Sequence, residues 1–162
     1  MGFIYCVFYA LSVGFLSFLL GRLLPKVWFS SNRFPYKAWS WEEEGKIYDR
    51  LFHIKHWQSR VPDMSKLFPG LMQRKKVTAH FQSELPLMIR ETCIAELIHV
   101  LLCFLILPCL WIWPGWGGIL FSLLYILGNL PFIMIQRYNR PRLQRLQNKM
   151  AQKRKEPSPC VS

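Results

Sequence analysis

Two stretches of this chain carry no charged side chain. The first is residues 3–21, FIYCVFYALSVGFLSFLLG. The second is residues 97–135, interrupted by the cluster PGWGG at 114–118. A hydrocarbon layer about 30 Å thick is crossed by about 20 apolar residues of helix. The first run therefore suffices for one span and the second for two, with the Pro/Gly cluster as the turn between them. The pattern predicts an all-α membrane protein. Its three transmembrane helices lie at about 3–24, 94–113 and 117–136, within one integral membrane domain of residues 1–152.

The intervening segment, 25–93, is mixed in character. SWEEEGKIYDRLFHIKHWQSRV (40–61) reads as one amphipathic helix, with Ile47, Leu51, Ile54 and Val61 near helical spacing and Lys46, Arg50, Lys55 and Arg60 beside them. Ser40 and Glu43 have the capping-box spacing. A basic helix with aromatics suits the membrane interface, and packing onto the spans is the second expectation. Pro62, Pro69, Gly70 and Pro86 divide the next stretch into short pieces, after which 88–113 could form one continuous helix. Pro141 suits the first turn of a separate tail helix with a Leu143, Leu146 and Met150 stripe. Residues 153–162 read as a disordered tail.

Charge orients this picture. The chain has 21 Lys and Arg against 9 Asp and Glu, and every basic residue lies in 22–90 or after 136. The positive-inside rule then predicts a multi-pass protein of the cell membrane. The amino terminus and the 113–118 hairpin lie outside, and 25–93 and the carboxyl terminus face the cytoplasm. Trp111, Trp113 and Trp116 suit the outer interface, and Trp28, Phe29, Trp39 and Trp41 the inner one. The first run lacks a preceding basic region and is followed by Arg22 and Lys26, which favours an uncleaved anchor over a signal peptide. The net charge of +12 fits attraction to anionic membrane lipids, about 1 kcal/mol per basic residue near the surface. No motif points to nucleic acid. Cys6, Cys93, Cys103, Cys109 and Cys160 match no zinc or redox spacing.

Ionisable groups carried into a membrane are costly and functional candidates by default. Here they are Glu91, Glu96 and His99, at the start of the second span. At about 100° per residue, His99 lies between the two carboxylates in angle. In an antiparallel hairpin Asn129 comes to the depth of His99, near the carbonyl freed by Pro131. Below them comes QRYNRPR, residues 136–142. This suggests a cleft at the cytoplasmic edge with His and Glu deeper in and an Arg-rich rim, suited to a substrate that is part lipid and part polar. The plainer alternatives are that Glu96 and His99 staple helices together and that the arginines are ordinary interfacial anchors. Glu96 and His99 have the i, i+3 spacing of a di-metal helix, but the first and third spans carry no carboxylates to complete one, so no metal is expected. His53 and His56 read as a surface pair.

ETCIAELIH (91–99) and NLPFIMIQRYNRPRL (129–143), with GKIYDRLFHIKHWQSRVPD (45–63) more loosely, resemble the glycosyl-4,4'-diaponeurosporenoate acyltransferase family. The resemblance implies a small membrane acyltransferase that esterifies a sugar hydroxyl of a glycosylated carotenoid with a fatty acyl chain. It implies a lipid-linked acceptor, a fatty acyl donor and no cofactor. Carried onto matching positions, His99 is the general base, oriented by Glu96 or Glu91. Asn129, Gln136, Arg137, Tyr138, Asn139 and Arg140 bind donor or sugar, or stabilise the oxyanion. The competing class is a non-enzymatic membrane subunit that holds anionic lipid or a partner protein.

Overall fold

The computed structural model describes residues 1–61 and 81–155. Helix α1 is Gly2–Leu23. It stops where Pro25 forces the preceding Leu24 into an extended conformation (φ −60°, ψ 128°). A 3₁₀ turn at Lys26–Trp28 and a second at Ser40–Gly45 lead to α2 (Lys46–Phe52) and α3 (Ile54–Trp57), then a 3₁₀ turn at Gln58–Arg60. Helix α4 is Phe81–Leu105, α5 is Cys109–Ile112 and α6 is Trp116–Lys155. No strand occurs among the described residues.

Among the described residues, three segments are long and apolar enough to cross a membrane: Gly2–Leu23, Ser83–Ile112 and Trp116–Gln152. The second departs from one continuous helix. It breaks at 106–108, ahead of Pro108, and the carbonyl left over at Leu105 is capped by the Tyr9 hydroxyl at 2.8 Å. The α5–α6 turn is closed by glycine. A Cβ on Gly118 would lie 2.2 Å from the Trp113 carbonyl oxygen. Cys6, Ala10, Ile106 and Cys109 form the core at this end, under Trp113, Phe121 and Tyr125.

The other end differs more from expectation. The helix read over 40–61 is broken at Glu43, Glu44 and Gly45 (φ 48°, 55° and 87°) and again at His53 (φ 51°). The cap is shifted by one residue: the Glu42 carboxylate, not that of Glu43, reaches back to accept the Trp39 N–H at 2.9 Å. The left-handed turn then carries α2 onto α6, where Tyr48 and Ile54 pack around Tyr138 with Met134 and Ile135. Packing on the spans, the second expectation, is what this segment does.

Helix α6 also runs through Pro141 instead of restarting there, and reaches Lys155. Residues 156–162, most of the tail read as disordered, and Pro62, Pro69 and Gly70 lie outside the described residues. Pro86 sits inside α4.

Pro141 has no N–H to offer the Arg137 carbonyl. Gly45 packs against that stretch of backbone: a Cβ on it would lie 3.1 Å from the Tyr138 oxygen and 3.2 Å from that of Arg137. Left-handed backbone and close approach both demand glycine here. Gly45→Ala is expected to cost about 1–3 kcal/mol, read as a lowered unfolding temperature in detergent. Gly128→Ala, whose Cβ would meet nothing within 4 Å, should not lower it.

Candidate active site

Helices α4 and α6 run antiparallel, and each presents a polar stripe. Thr92, Glu96 and His99 fall within about 60° of one another on α4, and Asn129, Arg137 and Arg140 within about 80° on α6. The stripes meet rung by rung.

The first rungs form a closed ionic network. Arg140 is 2% exposed and Glu96 5%. The Arg140 Nε donates to the Thr92 hydroxyl at 3.0 Å, and its terminal nitrogens donate to the carbonyls of Tyr36 (2.7 Å) and Thr92 (3.1 Å) and to Glu96 Oε2. Arg137 donates to Glu96 Oε1 at 2.5 Å and to Glu42 Oε1 at 2.5 Å. Glu42, 1% exposed, also accepts from the Tyr48 hydroxyl at 2.6 Å. The two guanidinium groups lie over the rings of Trp39 (Arg137, 5.8 Å) and Tyr36 (Arg140, 5.5 Å). Two carboxylates thus meet two guanidiniums in a buried, charge-neutral set tying 35–48, α4 and α6 together. Burial pushes the Glu42 carboxyl upward, but the bonds from Arg137, Tyr48 and the Trp39 N–H outweigh it and hold the group below its ordinary value.

His99 is the next rung, about 4.5 Å beyond Glu96 along the axis. Its Nδ1 is 2.9 Å from Asn129 Oδ1, the depth match expected from sequence. The Asn129 amide nitrogen donates to the Tyr125 carbonyl at 2.9 Å. That bond fixes the amide orientation, since the flipped form would face one oxygen with another. Asn129 Oδ1 must then accept from Nδ1–H, which in the neutral ring leaves the lone pair on Nε2. The ring stacks on Phe132, centroids 4.7 Å apart and planes 10° apart.

The carboxylates do not orient this imidazole. Both Glu96 oxygens are engaged by arginine, and Glu91 pairs with Lys26 at 2.8 Å. Among QRYNRPR, Arg137 and Arg140 are committed to protein groups, Tyr138 is core, and Arg142 lies 4.8 Å over the Tyr138 ring. Gln136 and Asn139 are half-buried and, among the described residues, their side-chain amides have no hydrogen-bonding partner. Glu42, Thr92, Tyr36 and Phe132 were missed by sequence reasoning. Glu42 stood in an EEE run in which the capping-box spacing picks out Glu43, and Thr92 and Phe132 gain meaning only from the register of α4 against α6.

Two depressions flank the ladder. An apolar groove of about 360 Å³ between α1 and α6 is lined by Val7, Ala10, Leu11, Gly14, Phe15, Phe121 and Tyr125. A basic cleft of about 370 Å³ lies between the 44–55 segment and α6, with Lys46, Arg50, Lys55, Arg142 and Arg145 outnumbering Glu44 and Asp49.

Removing one partner from a buried ion pair costs about 3–5 kcal/mol. Arg140→Ala and Glu96→Ala are therefore expected to lower folded yield and unfolding temperature sharply, and a double substitution to cost less than the sum of the two. A carboxyl held below its ordinary value binds its proton more readily in the unfolded chain. The Glu42 contribution is thus present above the ordinary carboxylate range and lost as pH falls through the folded value. Unfolding temperature should hold between about pH 8 and pH 5 and drop below that range, with a smaller drop in Glu42→Gln.

The family model described as glycosyl-4,4'-diaponeurosporenoate acyltransferase matches residues 25–149, which contain the whole ladder. The protein of that name from Staphylococcus aureus strain MRSA252 is 30% identical over 144 residues, 88% of this chain and 86% of the relative. Those of the bovine strain RF122 / ET3-1 and of strain N315 are 29% identical with the same coverage. No solved structure matches. With the match spanning most of the chain and every rung of the ladder, this protein belongs to the glycosyl-4,4'-diaponeurosporenoate acyltransferase family.

Proposed function

We propose that this protein is a membrane acyltransferase that esterifies a sugar hydroxyl of a glycosylated lipid, a carotenoid glycoside in the first instance, with a fatty acyl group. The observation that carries the reading is the His99 tautomer: Asn129 and Tyr125 hold Nδ1 protonated and leave Nε2 as a base. Nε2 takes the proton of the acceptor hydroxyl as its oxygen bonds to the acyl carbonyl carbon. When the tetrahedral adduct collapses, the acyl–donor bond breaks and the leaving group receives that proton. His99 thus ends each cycle neutral.

The other roles depend on which side chains are free. Gln136 and Asn139, amides with donors and acceptors to spare, bind the sugar. Arg137, Arg140 and Glu96 are positioning residues that fix α4 against α6, and Tyr138 supports them. Glu91, paired with Lys26, is peripheral. The basic cleft takes the phosphate of an anionic lipid at the inner membrane face, consistent with the amino terminus outside and the carboxyl terminus in the cytoplasm.

Lipid extracts test the assignment by mass spectrometry. Cells lacking the gene should accumulate an unacylated glycolipid; a lost non-enzymatic subunit would leave no single precursor. His99→Ala should lower acyl transfer by about 10²–10⁴-fold while the protein still reaches the membrane, and normal product from it would remove His99 from the chemistry. Asn129→Leu should give a smaller loss. Gln136→Ala and Asn139→Ala should raise KM for the acceptor with unfolding temperature unchanged, the opposite of the Arg140 pattern.

A further inference from the structure

The groove between α1 and α6 is joined to the His99 site through one residue. Tyr125 lines the groove with its ring, and its backbone carbonyl holds the Asn129 amide that fixes the imidazole. Phe121, Tyr125 and Phe132, the ring stacked on His99, fall within about 60° on one stripe of α6, and Gln136 and Asn139 continue that stripe toward the other end. The stripe is apolar on one side of His99 and amide-bearing on the other.

Glycine in the middle of a helix is disfavoured against alanine. Packing does not require it at position 14, where a Cβ would meet only the Tyr125 hydroxyl, at 4.0 Å. What Gly14 does is keep the near end of the groove open. From Phe15 to Val7 the groove rises about 12 Å along α1, away from the amides.

Resting on the acyl-transfer reading, we infer that this groove is the seat of the donor's acyl chain, with Gly14 admitting the chain and Val7 limiting its length. The bond chemistry selects the occupant. In the donor, the alkyl chain begins at the carbonyl carbon that reacts. In the acceptor, a sugar ring stands between the reacting hydroxyl and the apolar tail. An apolar groove opening one helical turn from Asn129 fits the first, and free amides on the opposite side of His99 fit the sugar of the second.

Two measurements test this on the full chain in native membranes. The first tracks transfer from acetyl, octanoyl and palmitoyl thioesters of coenzyme A onto the glycolipid acceptor. Gly14→Leu should cut palmitoyl transfer by about tenfold or more, the equivalent of forcing atoms into filled space, and so lower the palmitoyl-to-acetyl ratio. Val7→Phe should spare octanoyl and cut palmitoyl transfer. Wild-type ratios among the three chains in both variants would overturn the groove assignment while leaving acyl transfer intact. If Gly14→Leu loses all transfer, the Val7→Phe ratios decide. The second measurement needs no turnover: a photoreactive palmitate should label Leu11 and Phe15 in the wild type and lose that label in Gly14→Leu. Label confined to other surfaces overturns the proposal. Label in the groove from a protein that transfers no acyl group would keep the chain seat and sink the catalytic reading.

Discussion

Both oxygens of Glu96 are held by guanidinium groups from one turn of α6, and the rest of the structure depends on that shared carboxylate. A lone carboxylate in a membrane-embedded helix is costly, and a lone arginine no less so. Brought together with Glu42 and Thr92 they become a neutral, hydrogen-bonded set whose parts come from three separate stretches of chain. Such a set is weak evidence for stability as such, but breaking it is severe, so it fixes register. Helix α4 cannot slide or rotate against α6 without separating charges. His99 and Asn129, one rung further in, inherit that register.

This divides the labour within QRYNRPR. At about 100° per residue, neighbouring positions point to different surroundings. Arg137 and Arg140 turn to the α4 interface, Tyr138 turns to the packed segment that carries Tyr48 and Ile54, and Gln136 and Asn139 keep their amides unengaged. A motif dense in recognition chemistry is thus partly scaffold, and the side chains it leaves unengaged, to which the proposed function assigns the sugar, are the less conspicuous amides. The same logic explains the left-handed turn at 43–45. It delivers Glu42 to Arg137 and, with its own left-handed backbone, Gly45 to the backbone exposed by Pro141.

The imidazole is oriented without a carboxylate, and in the proposed reaction it is this orientation that readies it for proton transfer. Asn129 supplies an acceptor for Nδ1–H and carries no charge, which suits a site at bilayer depth where an added anion would need a partner of its own. The stacked Phe132 holds the ring plane. Orientation by an amide and an aromatic ring leaves Nε2 basic and the site neutral, matching the uncharged groove beside it.

The sequence by itself determined the all-α membrane class, the hairpin at 114–118 and the depth match of His99 with Asn129. These come from run length, glycine chemistry and a fixed rise per residue, which are local properties. It also singled out Glu91, Glu96 and His99 as groups too costly to be idle, and Arg137 and Arg140 as part of a polar rim beside them. Only the tertiary structure decided their partners. Whether Glu96 turns to His99 or to two arginines depends on the angular register of α4 against α6 and on where Glu42 arrives, and neither is encoded within a single segment. The broken 40–61 helix has the same origin. Its periodicity favoured one amphipathic helix, but the buried contacts of Glu42, Gly45, Tyr48 and Ile54 with α6 outweigh local propensity once the spans are assembled.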